Sequence, residues 1–120
     1  MVDPIRAAMR GMWNDACTVY EYLPIVKPNK STIHEEIVVL RDEPCKLSFS
    51  KLTHANQTET AAATPQIAKL FLDEALTIKA GSKIAVKRGN IEFVYGYSGE
   101  AGIFDEHQEI VLLPWEGWAV

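Results

Sequence analysis

Apolar side chains recur at every second position through most of the chain, and this period of two constrains the fold more than any other feature. Ile84 and Val86 alternate with Lys83, Ala85 and Lys87 up to Arg88-Gly89-Asn90, and Ile91, Phe93, Tyr95 and Tyr97 answer on the far side. Successive side chains of a strand point to opposite faces, so this pattern predicts a β-hairpin, with Gly89 at the turn where a positive φ is needed. The same alternation runs through Cys17, Val19 and Glu21 against Thr18, Tyr20 and Tyr22, and through Cys45, Leu47 and Phe49 against Lys46, Ser48 and Ser50. Ile33 to Arg41 is β-branched and apolar enough for a strand, with Asp42-Glu43-Pro44 predicted to break it before the next. Gln66 to Asp73 fits a short buried strand somewhat better than a helix. Ala80-Gly81-Ser82 reads as a turn, Ser98 to Gly102 as a glycine-containing loop, and His107 to Trp115 as a last strand that is apolar on both faces.

One segment departs from this period. Asp3-Pro4 is a helix start, because Asp caps free amides and Pro at the first helical position has no N–H to lose. Ile5, Ala8, Met9 and Met12 then fall on one narrow apolar stripe that ends near Gly11 and Trp13. A single domain is expected from 120 residues, with a helix over about 3–13 and strands over about 15–116. Strands at this spacing predict a mainly β fold, a small antiparallel β-barrel with a short N-terminal helix.

Residues 51–65 carry one large apolar side chain, Leu52, and no aromatic, so they cannot build a core and are expected to form a long polar loop. The formal net charge of −4 disfavours tight binding to phosphate backbones or anionic membranes. No apolar run reaches the roughly 20 residues of a membrane span, which predicts a soluble protein made in the cytoplasm. Cys17 and Cys45 lie in strand patterns and read as buried thiols rather than a disulfide.

Nothing in the sequence has the spacing of an active site. His34-Glu35-Glu36 lacks a second histidine one turn on and lies in a strand. His107 beside Asp105 and Glu106 reads as a solvated turn, since neighbours on a strand face opposite ways. Gly96-Tyr97-Ser98-Gly99 lacks the strand-turn-helix setting of a nucleophile elbow, and Gly81-Ser82-Lys83 reverses the order of a phosphate loop. The expectation is a protein without enzymatic activity, metal or cofactor. Trp115, Trp118, Tyr95 and Tyr97 exceed what a small core needs, so some are candidates to face a partner.

Several strings in order, Cys17-Thr18-Val19-Tyr20-Glu21-Tyr22, Pro44-Cys45-Lys46-Leu47-Ser48-Phe49, Ile78 to Ile84, Tyr97-Ser98-Gly99, His107-Gln108-Glu109-Ile110 and Gly117-Trp118-Ala119, resemble phage minor capsid proteins. The resemblance covers almost the whole chain and is similar to the head-completion, or stopper, type of siphoviruses of Gram-positive bacteria. It implies a β-barrel subunit of the virion's head-to-tail connector, assembled as a homo-oligomeric ring, expected to be a dodecamer, and monomeric in isolation. Implied partners are the portal and adaptor above, tail proteins below, and packaged DNA held non-specifically in the channel, with no membrane contact. It further implies that the polar loop reaches the channel, which nominates Lys51, Thr53, His54, Asn56, Gln57, Thr58, Glu59 and Thr60 as gating residues. Ile5, Met9, Met12, Trp13, Trp115 and Trp118 are nominated as partner-interface residues. A tail terminator or other neck protein, and a small ligand-binding barrel or enzyme, are the alternative readings.

Overall fold

In the computed structural model, which describes residues 4–51 and 66–118, the alternating segments pair into one sheet that closes on itself. A short helix α1, Pro4–Arg10, precedes six strands: β1 Asp15–Val26, β2 Thr32–Lys51, β3 Gln66–Leu72, β4 Lys83–Arg88, β5 Ile91–Ile103 and β6 Gln108–Pro114. Their order around the barrel is β1-β2-β3-β6-β5-β4, with β4 pairing back onto β1, and every pairing is antiparallel. Closure removes most of the exposed sheet edge that a six-stranded open sheet would present.

The inward positions supply the core. Cys17, Val19, Cys45, Leu70, Leu72, Ile84, Val86 and Ile110 have no exposed surface, and Leu47 is 1% exposed. Both thiols lie in this cluster, unbonded to each other. Hydrogen bonding with Cys17, together with burial, pushes the Cys45 thiol far above the ordinary thiol range. One end of the barrel is closed by the chain after β3, where buried Gln108 donates from Nε2 to the Asp73 carbonyl at 2.8 Å and the Leu76 carbonyl at 2.6 Å. Leu76 and Ile78 of the same connection pack on the core beneath it.

An ion pair with a buried carboxylate and a partly exposed guanidinium ties three strands together. The Asp15 carboxylate accepts from Arg88 Nε at 3.0 Å, from Arg88 Nη2 at 2.9 Å and from the Leu47 amide at 2.8 Å. Arg88 Nη2 also donates to the Leu47 carbonyl, so β1, β2 and β4 share one network. The paired guanidinium holds the Asp15 carboxyl below the usual carboxylate range, against the opposing effect of burial.

Three expectations need correction. The Asp42-Glu43-Pro44 triplet does not end a strand: β2 is continuous over 20 residues. The register with β1 shifts between Cys17 and Val19 and again between Val19 and Tyr20, with Asp42 at φ 51°. The turn-forming chemistry is spent on a bulged bend, in which the Asp42 amide donates to Thr18 Oγ1 at 3.3 Å. Pro44, which has no N–H to offer, lies just before the point where β3 pairing begins at Lys46. Ser98 to Gly102 likewise is no loop, since β5 runs on to Ile103 and the shift between Tyr97 and Ala101 is absorbed as an irregularity around Gly99 at φ 93°. The third correction concerns His107 and is described below.

Candidate partner-binding surfaces

The strand lengths leave part of the sheet outside the barrel. β4 pairs with β1 only over Ala16–Tyr20, and β3 pairs with β2 only over Lys46–Lys51. From Glu21↔Ile37 to Val26↔Thr32 the two strands pair with each other alone, forming a projecting two-stranded arm. Its tip is a tight turn in which the Lys30 amide donates to the Lys27 carbonyl at 2.8 Å and Lys30 adopts φ 67°. Asn29 Oδ1 accepts from the Ser31 amide and hydroxyl, which fixes the turn. Val26 at the tip is 70% exposed, and Ile25 and Ile33 face each other across the ribbon.

The base of the arm is braced by aromatic rings. Tyr22 stacks with His34 at 5.3 Å and with Trp118 at 5.2 Å, and Trp118 meets Trp115 edge to face at 4.7 Å. Trp118 Nε1 donates to Glu36 Oε1 at 3.1 Å, the same oxygen that receives Lys83 Nζ at 3.1 Å. Lys83 also lies over the Tyr20 and Trp115 rings. These two nominated tryptophans are therefore half-buried and spend much of their surface holding the arm.

The remaining nominated residues divide. Ile5 and Met12 are 62% and 64% exposed, whereas Trp13 is buried, with the Arg10 guanidinium over its ring at 5.4 Å. Arg10 in turn pairs with Asp73 at 2.9 Å and Glu74 at 3.3 Å, which fastens α1 to the connection after β3. The Met9 side chain lies outside the described residues. Of the proposed channel residues, Lys51 closes β2 opposite Gln66, while Thr53, His54, Asn56, Gln57, Thr58, Glu59 and Thr60 also lie outside the described residues.

His107 is not a solvated turn residue. It is buried, stacked on Phe104 at 4.8 Å and tilted against Phe71 at 5.6 Å, and its Nε2 lies 2.9 Å from Glu109 Oε2. The sequence reading paired it with adjacent Asp105 and Glu106. The carboxylate that meets it is two residues on, at the second position of β6, and the i, i+2 spacing carried that signal. The turn between β5 and β6, held by the Phe104 amide donating to the His107 carbonyl at 2.8 Å, leaves Ile103 72% and Phe104 50% exposed. Beside it runs a groove of about 310 Å³ lined by Lys69, Glu100, Ala101, Phe104, Glu109 and Val111. Sequence reasoning missed both this turn and the arm, because each depends on which strands outlast their partners.

No family model matches the chain, and a search of the curated proteins gives no match. Among solved structures the chain is similar to the phage-like element PBSX protein xkdH from Bacillus subtilis, at 13% identity and a TM-score of 0.47 over 85% of this chain and 95% of that one.

Proposed function

We propose that this protein is a structural subunit of a phage head-to-tail connector, of the head-completion or stopper type, and that it acts by binding partners rather than by chemistry. The observation that carries the reading is how apolar side chains are distributed. The barrel interior is filled with side chains of 0–8% exposure, while Val26 on the arm, Ile103 and Phe104 at the β5–β6 turn, and Ile5 and Met12 in the N-terminal segment stand 50–72% exposed. Ile103 and Phe104 are neighbours in one turn, and large apolar side chains exposed next to each other mark a surface that a partner covers. A two-stranded ribbon is marginal by itself, so the arm also gains from being covered. The ordered strings that resemble phage minor capsid proteins supply the kind of assembly.

On this reading the subunits form a ring, expected to be a dodecamer, between the portal and adaptor above and tail proteins below. Packaged DNA passes through its channel and the finished virion carries it. Electron microscopy of the purified protein added to portal–adaptor assemblies tests this. Added ring density below the adaptor is expected, and binding to tail tubes alone would overturn the assignment. Deletion of Asn56–Ala63 tests the channel function separately: heads should still recruit the subunit but lose DNA, and unchanged DNA retention would remove the gating role.

A further inference from the structure

We propose that the tip of the β1–β2 arm of one copy docks on the β5–β6 turn of the next, so that a single head-to-tail contact builds the ring. This inference rests on the ring reading above and specifies its interface. Both elements continue past the same point of the barrel. β1 leaves its pairing with β4 after Tyr20↔Lys83, and β5 leaves it after Lys83↔Gly96, so both run on beyond the first residue of β4. They emerge on opposite flanks, because in the closed order β1 lies across the barrel from β6 and β2 from β5. A donor and an acceptor on opposite flanks of the same end form a heterologous contact, and repetition of such a contact produces a ring when the rotation closes.

The two surfaces match in chemistry. The arm tip offers exposed Val26 beside a turn that carries Lys27 and Lys30, neither of which makes an ion pair among the described residues. The acceptor offers exposed Ile103 and Phe104 beside a groove that carries the Glu100 carboxylate and that of Glu109, one oxygen of which meets His107, with Glu106 in the adjoining turn. Lys69 is the one cation lining the groove, and it leaves the acceptor acidic on balance. Val26 against Phe104 and Ile103 buries apolar surface, while Lys27 and Lys30 meet the carboxylates at the rim, the arrangement that favours one orientation of docking over others. Two arms, or two turns, would instead bring like charges together, which disfavours an isologous dimer through either surface.

Cysteine cross-linking reads this contact directly, since Cys17 and Cys45 are fully buried and stay silent toward a short bismaleimide. Val26→Cys and Ile103→Cys lie at exposed positions and leave the core intact. At millimolar protein, a mixture of the two single variants should give a cross-linked heterodimer, each variant alone should give no cross-linked product, and the double variant should give a ladder of higher species. Charge reversal supplies a second readout. Lys27→Glu with Lys30→Glu should lower the cross-linked fraction at least tenfold, and a partner copy carrying Glu100→Lys with Glu106→Lys should restore it to within twofold. Cross-linking of Val26→Cys to itself, or no product from the mixture, would overturn the contact. Rings seen by electron microscopy without this cross-link would sink the interface and leave the ring standing, whereas absence of rings on the connector speaks against the ring reading itself, so the two failures are distinguishable.

Discussion

Replacing Arg88 with methionine removes the guanidinium and leaves most of the side chain's apolar stem. The Asp15 side chain, 2% exposed, then keeps one donor, the Leu47 amide, of the three hydrogen bonds it accepts. Breaking a fully buried ion pair by deleting one partner costs about 3–5 kcal/mol, chiefly because the surviving charge stays buried and unpaired. The Arg88 side chain is 40% exposed, so water screens the pair from one side, and about 2–3 kcal/mol is the appropriate expectation. For a domain of this size that lowers Tm by roughly 10 °C.

The pH dependence gives the sharper test. In the parent protein the guanidinium holds the Asp15 carboxyl below its unfolded value, so the stabilisation is complete above the ordinary Asp range and is lost as pH falls through the lowered folded-state value. In the variant the guanidinium is gone and burial is opposed only by the Leu47 amide and Lys46, so the carboxyl titrates above its value in the parent. Protonation then relieves the buried charge, and the variant gains relative stability on acidification. The gap between the two proteins is therefore widest at neutral pH and narrows below about pH 5. Urea unfolding followed by tryptophan fluorescence at pH 7 and pH 4 measures it, and Asp15→Asn in the Arg88→Met background should recover part of the loss. A deficit under about 1 kcal/mol at neutral pH, or one that does not change with pH, would refute this account of the network.

Three other perturbations test separate parts of the fold. Lys30 holds φ 67° in an exposed turn, so Lys30→Gly should stabilise by about 0.5–1 kcal/mol, read as a raised midpoint in thermal unfolding. Gln108→Leu strips the Leu76 carbonyl of its donor at the closed end of the barrel and leaves the Asp73 carbonyl only the Leu76 amide; a loss of about 1–3 kcal/mol is expected, with faster amide exchange across residues 73–78. Trp118→Ala removes the stack on Tyr22, the edge contact with Trp115 and the bond to Glu36. It should cost about 1–2 kcal/mol and quicken amide exchange in the arm over Glu21–Ile37 while the β3–β6 pairing keeps its protection.

The comparison between sequence and structure turns on which properties are local. Alternation is local: it follows from the two-residue period of an extended chain, so Cys17 and Val19, Cys45 and Leu47, and Ile84 and Val86 announce both their strands and their inward faces without reference to anything distant. The hairpin at Gly89 is local too, since its φ of 60° is what the residue between those two runs has to supply. Asp42-Glu43-Pro44 shows where locality fails. The residues that form a turn also form a bulge, and only the partner strand across the ladder, β1, keeps β2 continuous through them. His107 fails for the same reason, because Phe71 and Phe104, which bury it, come from a distant strand and from the neighbouring turn.

The candidate surfaces are still less local. The apolar stripe with Ile5 and Met12 could be read from spacing, but the burial of Trp13 beneath Arg10 could not. That the arm projects, and that the β5–β6 turn stands free, depends on where β3 and β4 stop pairing with their longer neighbours. By itself, then, the sequence determined that this chain forms strands and which of their faces turn inward. The closed six-strand order and the parts left outside it were decided by pairings between segments far apart in the chain, since a strand's backbone hydrogen bonds are satisfied only by a neighbour that its own residues do not specify.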